Sequence, residues 1–310
     1  MQRKVLMTFE IEKQVLERVL KGRKNPVATA TWVHVQCKYC NSRDVFRFGF
    51  DRKGKQRFIC NNCNRTFIDN KAPPRMRFPI EAIGMALNMF YESASLAKIQ
   101  RQLDLVYGVR PDRMTIYRWI MHYTNKAVEA LKDVPIRVGS RWVADETVLK
   151  TKRNAKINQW FWDIIDSDSR FLLASNLSQT RGIHDARILM VRAARRAGRI
   201  PKSIVTDKLS AYLEGIELTF GSETKHMPAK KLATEDGTQL IERFHSTLKD
   251  RTKVMRSFLV RGTARKILDG WLVHYNFFRP HSALGDKTPA QAAGAKSPFK
   301  NWVDVVKGEK

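Results

Sequence analysis

The strongest constraint on how this chain folds is a set of four cysteines close to the N-terminus. They form two C-x2-C doublets, Cys37 with Cys40 and Cys60 with Cys63, and 19 residues separate the doublets. Each doublet can direct two thiolates to one metal, and two doublets complete a tetrahedral Zn²⁺ site. The intervening residues 45–50 and 56–59 have the pattern of two hairpin strands. We therefore predict a zinc ribbon over residues 31–70.

Two disulfides or four free thiols are the alternatives to a metal site. Disulfides are rare in a reducing compartment. A unit this small cannot bury enough core to fold unaided, so the metal would supply its folding energy. Four protein ligands leave no position for a substrate, and the predicted Zn²⁺ is therefore structural.

The charge of the chain indicates a polyanionic partner. Lys and Arg number 57 against 30 Asp and Glu, a net charge of +27, with +14 before residue 139 and +13 from there on. Nucleic acid and an anionic membrane face both suit such a surplus, and a uniformly solvated cationic surface is the plain alternative. No run of roughly 20 apolar residues or signal peptide is present. We expect a soluble, cytoplasmic, nucleoid-associated protein that binds nucleic acid and no membrane.

Helical patterns occupy much of the first half. Residues 9–20 predict a helix within an N-terminal segment, 1–30. Residues 71–135 predict a helix-turn-helix, in which the start of the last helix reaches base edges. The candidates for DNA contact there are Asp112, Arg113, Thr115 and Arg118. A purely structural helical spacer is the alternative.

The second half has the pattern of an α/β domain with a mixed sheet, over residues 136–295, followed by a C-terminal tail, 296–310. Strand-like segments cover 140–149, 158–166 and 170–175, and a helix over 185–197 precedes another strand at 203–207. Asp145 lies inside an apolar strand and Asp207 ends one. A buried carboxylate is costly unless it is paired or binds metal. Either acid alone is equally typical of a loop or a helix cap.

A third acid lies on a strongly amphipathic segment, residues 238–256. Glu242, His245, Lys249 and Lys253 share its polar side at helical spacing. One carboxylate at the head of a cationic face suits a metal at one end and a phosphate backbone along the rest. An ordinary solvated helix side would produce the same pattern.

Taken together, Asp145, Asp207 and Glu242 resemble the DDE triad of the retroviral-integrase-like transposases, whose core is RNase H-like. The spacing of 34 residues between the last two, the flanking segments 142–147, 206–212 and 241–245, and the tail 275–290 all resemble that family. A zinc ribbon and helix-turn-helix in front are similar to prokaryotic insertion-sequence transposases. The resemblance spans about residues 31–295. Lys208 departs from the small residue usual after the second acid, and Lys249 matches a DNA-contacting basic residue.

The resemblance implies a DNA transposase that cleaves the ends of an insertion sequence and transfers the strands to target DNA. The triad would bind two Mg²⁺ or Mn²⁺ ions, and a homodimer or larger assembly would hold double-stranded element ends and target. We interpret the other acids of the region as surface or strand-end groups: Glu146, Asp163, Asp166 and Asp168. His281 is expected in a turn against the final helix.

Two other functions remain open from sequence. A non-catalytic DNA-binding regulator would use the ribbon and the helices, with the core as a scaffold, but it has no need for three aligned acids. A plain nuclease of the RNase H type would cleave DNA without joining it to a new strand.

Overall fold

A computed structural model describes residues 35–74, 76–149, 159–207, 209–229, 239–255 and 261–308. The chain divides into two compact units, residues 1–69 and 70–310, which are described separately. The helix expected over residues 9–20 and the departure at Lys208 lie outside the described residues.

The first unit contains a small antiparallel sheet built around the cysteines. Its strands are β1 (Val45–Phe50), β2 (Gln56–Cys60) and β3 (Thr66–Ile68), in that order. The Asp51 side chain accepts hydrogen bonds from the backbone N–H groups of Lys53 and Lys55 and so closes the turn between β1 and β2. The predicted hairpin is therefore present, and a third strand extends it. The core beside the cysteines is very small, with Val35 and Phe67 as its buried side chains.

The second unit opens with three helices, α1 (Ile80–Tyr91), α2 (Leu96–Tyr107) and α3 (Arg113–Leu131). Local sequence sets their ends. The Ser95 hydroxyl caps α2 by accepting from the backbone N–H of Lys98, and Gly108 ends the helix at φ 60°, a left-handed conformation that glycine adopts at little cost. Asp112 then caps α3. A short turn between Gly108 and Asp112 thus joins α2 to α3.

A five-stranded mixed sheet follows. Its strands are β4 (Arg141–Leu149), β5 (Gln159–Asp166), β6 (Leu172–Ser178), β7 (Ser203–Thr206) and β8 (Lys225–Pro228), in the spatial order β6-β5-β4-β7-β8. The first three are antiparallel, and β7 and β8 run parallel to β4. This is the strand order of an RNase H-like core, and it confirms the predicted mixed α/β sheet.

Helices cover both faces of this sheet. α4 (Ile183–Ala197) and α5 (Ser210–Phe220) lie on one face, where Tyr212 packs edge-on against Trp162 of β5. α6 (Gln239–Val254) lies on the other face and contacts β4. Neighbouring strand residues point to opposite faces, so side chains such as Trp162 and Asp163 meet different helices.

The remaining elements connect α1, α2 and α3, which together form the helical module, to the sheet. α7 (Arg261–Val273) runs into a π-helical turn over His274–Phe278, and the short helices α8 (Pro289–Ala292) and α9 (Trp302–Lys307) follow. α3 packs against α7 and α1 against α9, and one hydrophobic core includes residues of both the module and the sheet. Segment 296–310, expected as a tail, thus contains a helix whose Trp302, Val305 and Val306 are buried.

A buried arginine adds a polar link between the same parts. The Arg251 guanidinium of α6 donates hydrogen bonds to the backbone carbonyls of Phe90 and Ala94 and lies 3.9 Å from the Phe90 ring centroid. Across the described part of the chain, no helix is both long enough and apolar enough to cross a membrane.

Candidate active site and cysteine cluster

The four cysteine sulfurs of the ribbon converge on one point. Cys37 Sγ lies 3.6 Å from Cys63 Sγ, Cys40 Sγ lies 3.5 Å from Cys60 Sγ, and all four sulfurs lie within 4.8 Å of one another. Four sulfurs about 2.3 Å from a tetrahedral zinc would be about 3.8 Å apart. These separations are far longer than a disulfide bond of about 2.05 Å. The cluster therefore fits a metal such as Zn²⁺.

Each doublet is shaped by an asparagine that follows it. Asn41 and Asn64 adopt positive φ angles of 59° and 52°, and their backbone N–H groups donate to the carbonyls of Cys37 and Cys60. Asparagine tolerates this left-handed conformation better than most residues. A backbone hydrogen bond from Ser42 lowers the pKa of the Cys40 thiol to about 6. This turn favours the Cys40 thiolate, whereas burial raises the pKa of the Cys63 thiol to about 12.

Two of the three predicted acids meet at the sheet. Val143 of β4 pairs with Val205 of the parallel strand β7. The same register continued by two residues brings Asp145 opposite Asp207, on the same face of the sheet. The structure places ligand oxygens of Asp145, Asp207 and Glu146 within 4.8 Å of one another. The Asp207 side chain is held in place by a hydrogen bond, because its Oδ1 accepts from the backbone N–H of Leu209 at 2.9 Å.

Asp145 faces a second buried acid across the sheet. Asp163 of β5 is the direct antiparallel partner of Asp145 and is fully buried. Burial, together with the charges of Asp163 and Glu146 and against the opposing effect of His245, raises the pKa of Asp145 to about 7. Burial likewise raises the pKa of Asp163 to about 6. The interpretation of Asp163 as a surface or strand-end acid is wrong, because it is buried within β5.

His245 connects these two acids. Its Nε2 lies 2.7 Å from Asp163 Oδ2, and its Nδ1 lies 3.5 Å from Asp145 Oδ2. Burial alone would lower the pKa of His245, but the charge of Asp163 and the hydrogen bond to it raise the pKa overall. The structure corrects the expected contact between His245 and DNA, because His245 is 5% exposed and faces the sheet. Helical periodicity placed His245 on the polar side of α6, but it could not show that α6 lies on the sheet at His245.

Glu146 also differs from its interpretation as a surface or strand-end acid, because it lies within β4. It is buried on the opposite face of β4 and forms an ion pair with the Arg181 guanidinium. Arg181 also approaches Asp207 Oδ2 at 3.6 Å and stacks over Trp160 with 4.8 Å to the ring centroid. Arg181 therefore links two acids of the cluster. Sequence reasoning missed it, because it lies in a loop after β6 with no motif around it.

Glu242, the third predicted acid, is exposed in the first turn of α6 and is not part of the cluster around Asp145. It precedes His245 by three residues, and residues at this spacing are neighbours on a helix surface. Because His245 contacts Asp145, the helix holds Glu242 one turn from the acids of the sheet.

The other predicted DNA contacts lie on two helices. Arg113 and Arg118 are exposed and Thr115 is half-buried, all within the first two turns of α3. Lys249 and Lys253 are exposed on α6, beyond Glu242.

Two more acids and His281 occupy the turns beside the sheet. Asp166 is the last residue of β5, in agreement with its interpretation as a strand-end acid. It is buried, and its carboxylate accepts from the backbone N–H and hydroxyl of Ser169. Asp168 is exposed, as expected. The carbonyl of His281 accepts hydrogen bonds from the backbone of Leu284 and Asp286, so His281 lies in a turn.

Chemically, the acids around Asp145 form a set of hard oxygen ligands beside the sheet. Such ligands suit Mg²⁺ or Mn²⁺ rather than softer metals. Burial, a raised pKa and close like charges are typical of a functional carboxylate site. The arrangement can hold divalent cations.

Comparison with known proteins identifies the domain that carries this site. Residues 139–281 match the family model of a DDE domain, of the IS240 transposase type. An insertion element IS136 uncharacterized protein of Agrobacterium fabrum is 29% identical over 174 residues, which cover 54% of this chain and 88% of that protein. An IS136 protein of Agrobacterium tumefaciens matches with the same identity and coverage.

Solved integrase structures show weaker likenesses. The magnesium-bound HTLV-2 integrase catalytic core in its trimeric form is 17% identical with a TM-score of 0.40, over 51% of this chain and 97% of that chain. The BIV integrase core is 16% identical with a TM-score of 0.38, over 50% and 93%. Similarity this low carries no weight, and the assignment rests on the family match. Residues 139–281 therefore match a DDE domain, and this part of the chain is similar to proteins of insertion elements.

Proposed function

We propose that this chain is a transposase, which binds the double-stranded ends of its insertion sequence, cleaves a strand there and joins the freed end to target DNA. In the first step a water oxygen attacks the phosphorus, the bond to the 3′-oxygen breaks, and a 3′-OH is released. In the second step that 3′-OH attacks a target phosphodiester and displaces its 3′-oxygen. The proposal is carried by the meeting of Asp145 and Asp207 on neighbouring parallel strands of a DDE domain.

Asp145, Asp207 and Glu242 would hold two Mg²⁺ or Mn²⁺ ions. A pair of such ions supplies activation of the attacking oxygen and stabilisation of the leaving oxygen. The chain's own contribution is to orient the carboxylates. His245 holds Asp145 from α6, and the backbone N–H of Leu209 holds Asp207. Both supports come from regular elements or their ends, which favours a fixed geometry.

The remaining predicted contacts serve recognition. Arg113, Thr115 and Arg118 would reach base edges from the start of α3, while Lys249 and Lys253 would contact phosphates beside the acids. The cysteine cluster would bind a structural Zn²⁺. A homodimer or larger assembly follows from the need to hold two element ends together.

A cleavage assay tests the proposal. Purified chain is incubated with a labelled duplex carrying the element end, with Mg²⁺, Mn²⁺ or chelator. We expect nicking by the wild type with either metal, and at least a hundredfold less by Asp145→Asn and Asp207→Ala with DNA binding retained. Binding without any nicking would instead indicate a regulator. Nicking without strands joined to new DNA would indicate a plain nuclease.

A matched pair of variants identifies the third carboxylate. Glu242→Gln should abolish nicking and leave the free energy of unfolding unchanged, because Glu242 is exposed. Glu146→Gln should chiefly lower stability, because it weakens the buried pair with Arg181. If Glu146→Gln abolished nicking and Glu242→Gln did not, Glu146 would replace Glu242 in the proposed triad.

A further inference from the structure

A separate, positively charged cavity lies beside α6. Its volume is about 220 Å³, and it is bounded by α6, the turn between β5 and β6, and the segment after α7. Three arginines line it, one from each of these parts: Arg170, Arg243 and Arg279.

This cavity faces away from the acids of the DDE site. At about 100° per residue, Leu240, Phe244 and Thr247 point to one side of α6. Glu242 and His245 point to roughly the opposite side. The cavity is therefore distinct from the site that holds Asp145 and Asp207.

Within the described part of the chain the arginines of the cavity lack direct acidic partners, although Arg279 lies near enough to Glu92 to help lower the pKa of that carboxylate. Among the described residues, no carboxylate forms a salt bridge with Arg170, Arg243 or Arg279. Arg181, by contrast, is paired with two acids. Three guanidinium groups around one cavity repel each other, so the cluster gains free energy from an anion placed among them.

His281 also lines the cavity. Burial and the nearby charges of Arg279 and Arg170 together lower the pKa of His281 to about 4. The imidazole is therefore neutral near pH 7 and adds no positive charge to the lining.

The backbone fixes part of this lining in place. Arg170 has a left-handed φ of 58°, and its N–H donates to the Asp166 carbonyl at 2.9 Å. The Asp166 carboxylate holds the same turn through Ser169. His281 packs edge-on against Tyr275, with ring centroids 4.7 Å apart. The cavity is thus organised before any ligand arrives.

We propose that the cavity lined by Arg170, Arg243 and Arg279 binds a phosphate group of a DNA strand. Guanidinium groups match phosphate oxygens in charge and in bidentate geometry. The anion is taken to be part of DNA because of the proposed transposase function, on which this inference rests. The phosphate is either a 5′-terminal monoester or an internal phosphodiester, and both present the same anionic oxygens.

The first test compares two double variants that remove the same charge. Arg243→Gln/Arg279→Gln alters the cavity, while Arg187→Gln/Arg195→Gln removes two exposed arginines of α4. Binding of the full chain to a duplex of arbitrary sequence is measured without divalent metal at several salt concentrations. We expect about tenfold weaker binding by the cavity variant, and a slope of log K against log salt reduced by about one. An equal loss in the α4 variant would overturn the proposal.

The second test uses inorganic phosphate and two forms of the duplex. Phosphate should raise the Tm of the wild type and the α4 variant, but not of the cavity variant, at matched ionic strength. A 5′-phosphorylated duplex that binds more tightly than its 5′-hydroxyl form, only when the cavity is intact, indicates a terminal monoester. If the two duplex forms bind equally well, and the cavity variant still has the smaller slope of log K against log salt, the bound group is an internal phosphodiester. If phosphate shifts all three Tm values alike and the salt slopes agree, the cavity is not a phosphate site.

These measurements are independent of catalysis. Asp207→Ala should retain both the salt slope and the phosphate response of the wild type. A chain that never nicks DNA would contradict the proposed function while leaving the cavity result intact. Loss of the cavity effects with nicking preserved would contradict only the phosphate site.

Discussion

His245 joins two carboxylates that would otherwise repel each other inside the protein. It contacts Asp163 at 2.7 Å and Asp145 at 3.5 Å, and Asp163 is fully buried. Removal of one partner from a buried ionic contact leaves an uncompensated charge. We therefore expect His245→Ala to lower the free energy of unfolding by about 3 kcal/mol, measured by urea denaturation near neutral pH.

His184 provides the control for this substitution. It is exposed on α4, so His184→Ala should change the free energy of unfolding by less than about 0.5 kcal/mol. Equal, small losses in both variants would mean that His245 does not stabilise the acids.

The raised pKa of Asp145 predicts pH-dependent metal binding. Burial raises this pKa from 3.8 to about 7, so between these values the folded chain holds a proton that the unfolded chain has lost. Without metal, this group makes the free energy of unfolding fall as pH rises through that range. Mg²⁺ competes with the proton. The Tm increase caused by Mg²⁺ should therefore be larger at about pH 8 than at about pH 6.

Asp145→Asn tests whether this carboxylate is responsible. The amide cannot titrate, so the Mg²⁺-dependent Tm increase should become small and nearly independent of pH. An unchanged pH dependence in the variant would assign it to another group.

At the residue scale, the sequence predicted which side chains carry the chemistry, but it did not predict which residues those side chains contact. Asp145 stood out because a carboxylate within an apolar strand needs a partner or a metal. Its partners could not be inferred, since pairing with Asp163 depends on strand register and contact with His245 depends on how α6 lies on the sheet. Arg181 left no local signal, because its role comes from a loop that returns to the acids only in the folded chain.

At the element scale, the ribbon depends on its cysteines because it buries very little else. The buried apolar residues around Cys37 and Cys60 are few. We expect one Zn²⁺ per chain and loss of the metal in Cys60→Ser, with loss of ordered NMR signals from residues 35–69. The signals of residues 70–310, a separate compact unit, should persist.

Lys53→Ser is the matched control, since it introduces a serine at an exposed position of the turn between β1 and β2. It should retain Zn²⁺ and the ribbon signals. An ordered ribbon in Cys60→Ser without bound metal would contradict the structural role of zinc.

The elements that could be predicted are those whose structure is determined by residues close to them in the sequence. The C-x2-C doublets and the amphipathic stripe around Phe244 each determine structure within a few residues of themselves. Asp112 was a candidate for DNA contact, and its side chain instead caps α3. The helix α9 was missed because segment 296–310 is short and charged at its end. Its Trp302 becomes buried only against α1 and the turn after α7.

At the scale of the whole molecule, the helical module and the DDE domain form one folding unit. Their side chains share a single hydrophobic core, and Arg251 connects α6 to the end of α1. The sequence suggested separate modules at 71–135 and 136–295, because long-range packing between them has no sequence pattern. A shared core implies that damage where the two parts meet should weaken both together.

Two glycines of α7 allow this to be measured. A Cβ added at Gly270 would overlap the Tyr91 hydroxyl of α1 and the Thr124 side chain of α3, whereas one added at Gly262 would meet nothing within 4 Å. Gly270→Ala should therefore lower the free energy of unfolding by about 1–3 kcal/mol. Gly262→Ala should raise it by about 0.5–1 kcal/mol, because alanine favours a helix. In urea, residues of α3 and of β4 should unfold at one midpoint that shifts with each variant. Separate midpoints for the two parts, or equal shifts in both variants, would show that the module and the domain do not fold as one unit.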